Sequence, residues 1–295
     1  MLYKFVYVIL HYGTYEETVN AIESILKKSE NKESLIVVVD NASPEQSGQK
    51  LREIYEKNAR VHVLINEKNY GFAIGNNIGY EFARDKLKAD FIITMNNDVE
   101  ILQSDFEQRV ADTYQELQFH ILGPDIVTPQ GEHRNPHRKD TFVKTDLNRI
   151  IRNRSIIFFY LKVKQTLGLE QKIHFIEDWD TVRIRKERNS LQRNVRQTGV
   201  VLQGSFFVFS PDYLENESRA FCPETFLYME EEILAYQSKQ KGYILIYEPG
   251  IKVLHKEEAA TTQMAEQKQF DKYMFYTYHL RNSAKVMKKI IMGRM

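Results

Sequence analysis

The chain has 295 residues, enough for one α/β domain with an appended C-terminal part, and its 42% hydrophobic and 27% charged residues are ordinary for a globular protein. Lys and Arg (41) nearly balance Asp and Glu (40), so we expect no nucleic-acid partner. The single cysteine, Cys222, excludes an internal disulfide, and no apolar run is long enough to span a bilayer. With no signal-peptide pattern, the sequence predicts a cytoplasmic location.

Short apolar runs alternate with helical patterns over the first hundred residues. Runs of this kind predict an α/β fold whose central sheet is mostly parallel and covered by helices on both faces. The predicted strands are residues 3–10, 35–39, 61–65 and 91–94, and the predicted helices are 18–26, 49–55 and 74–87.

The chain changes character after this half. Residues 128–194 are rich in Arg and Lys and contain one long apolar cluster, 156–160, which we interpret as a basic, partly helical insertion. A strand over 199–210, a helix over 230–240 and a strand over 243–247 follow, and 270–292 has the spacing of an amphipathic helix. We therefore divide the chain into 1–127, 128–198, 199–260 and 261–295.

Polar residues follow the apolar runs at His11, Asp40, 66–69 and 96–98. The carboxyl ends of parallel strands line one crevice, where ligands bind, so we expect a site there. Asp98 is well placed to bind Mg²⁺ or Mn²⁺ together with substrate phosphate oxygens. The alternative is that Asp98 only caps a helix starting near Leu102.

Five short motifs add to this pattern. Their order resembles that of the inverting glycosyltransferases of family 2, which have the GT-A fold, and most of all the rhamnosyltransferase-like and other bacterial polysaccharide biosynthesis members. The resemblance covers the chain except the basic insertion, and it implies a nucleotide-sugar-binding half at 1–127 and an acceptor-binding and catalytic half at 199–260. The motifs are VVVDNAS (37–43), NYGFAIGNNIG (69–79), NND (96–98), QGSFF (203–207) and FLYMEE (226–231).

The resemblance implies a UDP- or dTDP-sugar donor. Asp40 matches the residue that accepts a hydrogen bond from the pyrimidine, and Asn41 belongs to the same turn. His11 stands where relatives usually have Asn, and we expect it to contact the base or ribose. The other positions expected to bind the donor are Asn69, Gly71, Asn76, Asn97, Gly204 and Ser205.

For the metal, Asp98 matches the binding aspartate of the family's DxD element, while Asn96 replaces the first aspartate. One carboxylate therefore stands where others have two, which predicts weak or water-rich binding of Mg²⁺ or Mn²⁺. His255 matches a family histidine near the diphosphate that is sometimes a metal ligand, and an imidazole suits Mn²⁺ better than Mg²⁺. The alternative is a hydrogen-bonded histidine at a strand end.

The catalytic base implied by the resemblance is Glu231, within the pair Glu230-Glu231 that matches the family's Glu-Asp element. An acceptor hydroxyl is a poor nucleophile unless a base takes its proton. Here Glu replaces the usual Asp. Gly204-Ser205 resembles the small strand end under the acceptor site, and the alternative for Gly204 is close backbone packing. The alternative for residues 230–232 is a solvated acidic start of a helix.

The sequence thus predicts sugar transfer to a saccharide or lipid-linked acceptor in cell-surface polysaccharide synthesis. The aromatic and basic C-terminal helix covers the sheet or touches the inner face of the membrane, and it could serve a homodimer interface. Two other classes stay open: a non-catalytic sugar-nucleotide or carbohydrate-binding module, and a nucleotidyltransferase. The latter would need a cationic, glycine-rich first loop, whereas residues 11–15 contain no Lys or Arg.

Overall fold

A computed structural model describes residues 3–170, 187, 190–256 and 266–295. Within this part, nine strands form one sheet. The strands are β1 (Phe5–His11), β2 (Leu35–Asp40), β3 (Val61–Ile65), β4 (Phe91–Asn96), β5 (Val99–Ile101), β6 (Ile121–Val127), β7 (Gln197–Thr198), β8 (Phe206–Phe209) and β9 (Leu245–His255). Their spatial order is β3-β2-β1-β4-β8-β6-β9-β5, and β7 also pairs with β9.

Most helices of the described part pack on the two faces of the sheet, and the two longest helices pack against each other. They are α1 (Tyr15–Lys28), α2 (Ser47–Tyr55), α3 (Gly71–Asp85), α4 (Phe106–Leu117), α5 (Lys144–Thr166), α6 (Pro211–Asn216), α7 (Glu230–Gln240) and α8 (Glu266–Ile291). A 3₁₀ turn over Pro44–Gln46 precedes α2.

The core has one layer on each face of the sheet because side chains alternate along every strand. In β1, Tyr7 and Ile9 point into the layer covered by α1, α2 and α4, whereas Val6 and Val8 point into the layer covered by α3, α6 and α7. Both faces of β1 are therefore apolar, as its continuous hydrophobic run predicts.

The α/β class is as predicted, and the sheet is mixed but parallel over most of its paired residues. The pairs β1-β2, β1-β4, β2-β3 and β6-β9 are parallel. Strand β8 runs antiparallel to β4 and β6, while β5 and β7 run antiparallel to β9. Met95 at the end of β4 pairs with Phe206 at the start of β8, so residues entering β8 lie at the same sheet edge as residues leaving β4.

Three predicted boundaries differ in the structure. The strand expected over 199–210 is limited to β8 (Phe206–Phe209), because β7 ends at Thr198 and Gly199, with φ +70°, turns the chain after it. The last strand is longer than 243–247 because β9 continues through a shift in its register with β6. Asp98 does not cap a helix near Leu102, because β5 follows Asp98 directly and α4 begins at Phe106.

The long helices α5 and α8 pack against each other instead of covering the sheet. Ile157 and Leu161 of α5 form a cluster with Phe270 and Tyr273 of α8, separate from the two layers of the sheet. The prediction that the C-terminal helix covers the sheet is therefore wrong, because its buried aromatic side chains meet α5. No described helix is both long enough and apolar enough to cross a membrane.

Candidate active site

The carboxyl ends of β1, β2 and β4 meet at one edge of the sheet. The parallel register pairs His11 with Asp40 and Leu10 with Asn96. The backbone N–H of Asn41 donates to the His11 carbonyl at 2.9 Å, which closes the edge between β1 and β2. The polar residues that follow these strands in the sequence therefore lie side by side, at His11, Asp40 and Asn96, as expected for strand ends of a parallel sheet.

The imidazole of His11, the last residue of β1, is fully buried. Its Nδ1 is 2.7 Å from Thr18 Oγ1 and its Nε2 is 2.8 Å from Ser47 Oγ, so both ring nitrogens are engaged by the starts of α1 and α2. Burial lowers the pKa of His11, although nearby Asp40 acts in the opposite direction. Asn97 is tied to the same region, since its side-chain amide donates to Thr14 Oγ1 at 2.7 Å.

Asp40 and Asn41 shape the turn after β2. Asp40 Oδ1 accepts a hydrogen bond from the Ser43 backbone at 3.0 Å. Gly48 packs so closely that a Cβ there would lie 2.1 Å from Asp40 Oδ2, so a side chain at this position would displace the carboxylate. The Asn41 side chain donates to Asn69 Oδ1 at 2.9 Å. The two predicted donor-binding segments are thus joined directly.

Gly71 opens α3 in a conformation that suits only glycine. Its φ is +82°, and a Cβ would lie 2.3 Å from the Phe226 carbonyl oxygen. The next residue, Phe72, donates its backbone N–H to that same oxygen at 2.7 Å. The Asn76 side chain donates a hydrogen bond to the Phe72 carbonyl. The Asn77 side chain donates to the Phe221 carbonyl and accepts from the Phe221 N–H. Asn77 thus links α3 to the chain before the glutamates.

Asp98 and His255 come together because β5 pairs with β9. Asp98 Oδ1 lies 3.1 Å from His255 Nε2, and both side chains are largely buried. Two adjacent ligands of an octahedral ion, each at about 2.1 Å from the ion, stand about 3 Å apart. The carboxylate and imidazole therefore fit neighbouring positions on one metal ion. In the described part of the chain, no group of three or more His, Cys, Asp or Glu residues could hold a metal by itself.

The glutamates at the start of α7 follow a strained stretch of backbone. Tyr228 and Met229 have φ values of +74° and +67°, a region that costs a non-glycine residue about 1–3 kcal/mol. Burial and then the neighbouring Glu231 charge raise the pKa of Glu230 to about 8. Burial also raises the pKa of Glu231, although part of its surface remains accessible.

The Glu231 carboxylate lies beside Gly204. A Cβ built on Gly204 would have the Glu231 carboxylate as its nearest neighbour, with Oε2 at 3.5 Å, so the glycine leaves room beside this carboxylate. The alternative of close backbone packing at Gly204 is therefore wrong. The carbonyl of Ser205 accepts a hydrogen bond from the Asn96 N–H at 2.9 Å. The residue after Gly204 is therefore hydrogen-bonded to the segment that carries Asp98.

The neighbouring Glu232 points away from this space, into a buried ion pair that the sequence did not suggest. Arg138 Nη1 lies 3.1 Å from Glu232 Oε1, and the Phe142 N–H donates to its other oxygen at 3.4 Å. Burial raises the pKa of Glu232, and the Arg138 guanidinium opposes that rise. Because Glu230 and Glu232 are both buried, the interpretation of 230–232 as a solvated acidic helix start is wrong.

Helix α8 packs against the segment that precedes α7. The rings of Phe226 and His279 stack at 4.6 Å, and Ser283 Oγ donates to the Leu227 carbonyl at 2.8 Å. The Phe226 backbone is the one that contacts Gly71, so a single segment touches the predicted donor loop on one side and α8 on the other. Apart from the aromatic content of the C-terminal helix, nothing in the sequence indicates this contact.

Comparison with known proteins assigns the chain to a family. The family model described as Glycosyl transferase family 2 matches residues 7–200, more than half of the chain. The chain belongs to glycosyltransferase family 2. The matched range contains Asp40, Asn69 and Asp98 and ends before Gly204 and Glu231.

The relatives agree with this family and with the GT-A fold. The low-salt glycan biosynthesis hexosyltransferase Agl10 of Haloferax volcanii is 27% identical over 124 residues, which are 42% of this chain and only 37% of that protein. TarS 1-349 of S. aureus aligns over 99% of this chain and 71% of its own, with a TM-score of 0.53 and 12% identity. GalNAc-T7, solved with UDP, GalNAc and Mn²⁺, aligns over 93% and 48%, with a TM-score of 0.56 and 14% identity.

Proposed function

We propose that this chain is an inverting glycosyltransferase that moves a sugar from a UDP- or dTDP-sugar to a hydroxyl of a saccharide. The observation that carries the proposal is the Glu231 carboxylate facing the space beside Gly204. The next residue, Ser205, is hydrogen-bonded to Asn96, two residues before Asp98. A base and a candidate metal-binding pair close to the same strand ends are what sugar transfer from a nucleotide donor requires.

The base is Glu231. The acceptor hydroxyl occupies the space beside Gly204 and gives its proton to Glu231 as its oxygen attacks the anomeric carbon. The bond from that carbon to the diphosphate oxygen breaks on the opposite face, so the configuration is inverted. A pKa raised by burial makes Glu231 a stronger base than an ordinary glutamate, since general bases work best with pKa values near the working pH.

The donor is held by the turn after β2 and the loop that opens α3. Asp40 is assigned to the pyrimidine, and Asn41 fixes the loop at Asn69 and Gly71 through its side-chain amide. The buried imidazole of His11 stabilises this turn indirectly, because it hydrogen-bonds to residues near the starts of α1 and α2, the two helices that flank the turn. The role of His11 is then to keep the donor site in shape.

Asp98 and His255 are the residues assigned to Mg²⁺ or Mn²⁺. Their 3.1 Å separation supports this assignment, and the mixed oxygen and nitrogen set favours Mn²⁺. When bound, the ion offsets the negative charge that grows on the departing diphosphate. The remaining ligands would come from diphosphate oxygens and water, because the described residues offer only these two side chains.

We further propose that the acceptor is a glycan, free or lipid-linked, in cell-surface polysaccharide synthesis. The relative named for low-salt glycan biosynthesis supports a glycan acceptor. The open, partly accessible surface at Glu231 also suits a bulky saccharide better than a small buried acceptor.

Calorimetric titration with UDP and dTDP, each with Mn²⁺ or with EDTA, tests the donor and the metal together. We expect one nucleotide to bind with Mn²⁺, and binding to weaken strongly in EDTA. Asp98→Ala should remove the metal dependence, whereas Asp112→Ala, at an exposed aspartate of α4, should retain it. Absence of binding by either nucleotide would contradict the proposed donor, and equal affinity with and without metal would contradict the metal role.

Turnover separates an active enzyme from a binding module. The protein is incubated with the UDP- or dTDP-sugar and saccharide acceptors, and release of the nucleoside diphosphate is followed together with the anomeric configuration of the product. An inverted product supports the proposal. A retained configuration, or nucleotide binding without any transfer, would contradict it.

A further inference from the structure

Helix α5 carries an exposed apolar stripe along its C-terminal half. The stripe consists of Ile156, Phe159, Tyr160, Val163 and Leu167, all exposed, with Phe159 the most exposed at 71%. The first four lie within α5 and Leu167 caps it. Their spacing of three, four, seven and eleven residues places them on one side of a helix with 3.6 residues per turn.

The opposite side of α5 is the one that packs. Ile157 and Leu161 are buried against Phe270 and Tyr273 of α8. The stripe therefore contributes nothing to the contact between α5 and α8. A single exposed apolar side chain is ordinary, but a contiguous row of large ones marks a surface that binds something.

Basic residues surround the stripe. At 100° per residue, Lys162 and Lys164 project on its two flanks, and Arg152 lies on the same side one turn before Ile156. The only acidic residue of α5 is Asp146, which is buried and paired with Arg149 at 3.0 Å. Within α5, the surface is thus an apolar row between cations, with no carboxylate along it.

A separate aromatic and basic cluster lies between α5 and α8, on the side of α5 away from the stripe. The rings of Phe158 and Tyr278 are 5.6 Å apart, and the Arg281 guanidinium lies 4.6 Å from the Phe158 centroid. Tyr278 is itself exposed. Arg281 is therefore held at the contact between the two helices, and the cations that flank the stripe are those of α5.

We propose that the stripe binds the surface of a membrane rich in anionic lipid, with α5 lying in the plane of the interface. The apolar side chains enter the boundary between headgroups and acyl chains, and Arg152 and Lys162 meet the lipid phosphates. A second copy of the chain is a poorer occupant, because two such surfaces face to face would bring like charges together around the apolar row.

This orientation would place α8 on the side of α5 that faces away from the membrane. Helix α8 packs on α5 and also contacts the segment at Phe226 and Leu227 that precedes Glu231. Lipid binding by the stripe does not require the proposed sugar transfer, so its test is independent of the reaction.

The test is cosedimentation of the full chain with vesicles of phosphatidylcholine alone and of phosphatidylcholine mixed with phosphatidylglycerol. We expect binding to the mixed vesicles and little to the neutral ones. The double variant Phe159→Ser, Val163→Ser should bind at least about tenfold more weakly, because it removes two large apolar side chains from the interface. Ile244→Ser, at a similarly exposed isoleucine between α7 and β9, should bind like the unchanged protein.

Arg152→Gln with Lys162→Gln should weaken binding to the mixed vesicles only. Circular dichroism and nucleotide affinity verify that each variant is folded. Unchanged binding by the Phe159 and Val163 variant, or no binding of the unchanged protein to mixed vesicles, would overturn the proposal. If light scattering finds that the unchanged protein is a dimer and that the Phe159 and Val163 variant is a monomer, the stripe binds a second copy of the chain. This result would also overturn the proposal.

Discussion

Arg138 Nη1 donates to Glu232 Oε1 at 3.1 Å, and both side chains are almost completely withdrawn from solvent. The pair joins the chain after β6 to the helix that presents Glu231. The guanidinium also lies 3.9 Å from the centre of the Phe142 ring, so an apolar face covers the pair. A buried pair of this kind fixes geometry, and losing one partner costs far more than the pair itself contributes.

Replacing Arg138 by Leu should therefore destabilise the protein by about 3–5 kcal/mol, because Glu232 is left buried without its cation. Urea unfolding measures the change. The double variant Arg138→Leu, Glu232→Leu should recover most of this loss. The matched control is Arg219→Leu, which breaks an exposed pair with Glu81 and should cost about 1 kcal/mol or less. Equal losses for the two arginines would contradict the buried-pair argument.

The glutamates of α7 should make stability fall as the pH rises. Glu230 has a pKa of about 8 in the folded protein, against an ordinary value of 4.5, so between these values the folded state retains a proton that the unfolded state releases. The unfolded state is therefore favoured progressively as the pH increases through that window. Glu230→Gln should reduce the decline in the free energy of unfolding between pH 5 and pH 8.

The remaining decline in that variant would come from Glu107, Glu231 and Glu232, whose pKa values are also raised by burial. Glu224→Gln, at an exposed glutamate of the same loop, should retain the full decline. A Glu230→Gln protein with the same pH dependence as the unchanged one would show that Glu230 is ionised in both states.

The sequence predicted the elements whose signal is local. Strand β3 (Val61–Ile65) and helix α7 (Glu230–Gln240) have the predicted bounds, and the strand ends at His11, Asp40 and Asn96 share one edge as expected. Each of these features depends on a short apolar run followed by polar residues. The pattern is readable without knowing which strands are neighbours.

The sequence could not predict features that depend on pairing over long distances. The apolar run of β8 would look the same in either direction, so its antiparallel place between β4 and β6 has no local signal. The pattern of α8 shows that one side is buried, but not that α5 covers it. Glu232 in a run of three glutamates resembles a solvated face, and its partner Arg138 lies 94 residues away.

Gly71→Ala should damage both stability and activity, because the new Cβ would lie 2.3 Å from the Phe226 carbonyl oxygen. Gly131→Ala is the matched control. Gly131 has nearly the same φ, +78° against +82°, but no atom lies within 4 Å of its Cβ position. Both variants should lose about 1 kcal/mol from the backbone conformation, and only Gly71→Ala should lose more and bind the donor more weakly. Equal effects would mean that the Phe226 contact is unimportant.

Glu231→Gln should abolish transfer while sparing donor binding. Loss of a general base lowers kcat by about 10²–10⁴-fold, whereas the amide has nearly the same shape as the carboxylate. For the unchanged protein, kcat should fall as the pH is lowered through the raised pKa of Glu231, because the protonated form is no base. Glu224→Gln should keep normal kcat. A Glu231→Gln protein with normal turnover would show that another group takes the proton.

Substitutions at Gly204 should separate acceptor binding from donor binding. Gly204 does not have a positive φ, and an alanine Cβ would meet the Glu231 carboxylate at 3.5 Å, which is ordinary contact, so Gly204→Ala should fold with little loss of stability. The added methyl nevertheless takes room from the acceptor hydroxyl. We expect KM for the acceptor to rise in Gly204→Ala and further in Gly204→Val, with the nucleotide affinity unchanged. Because stability and donor binding report on folding, a normal acceptor KM in a folded Gly204→Val protein would move the acceptor site away from Glu231.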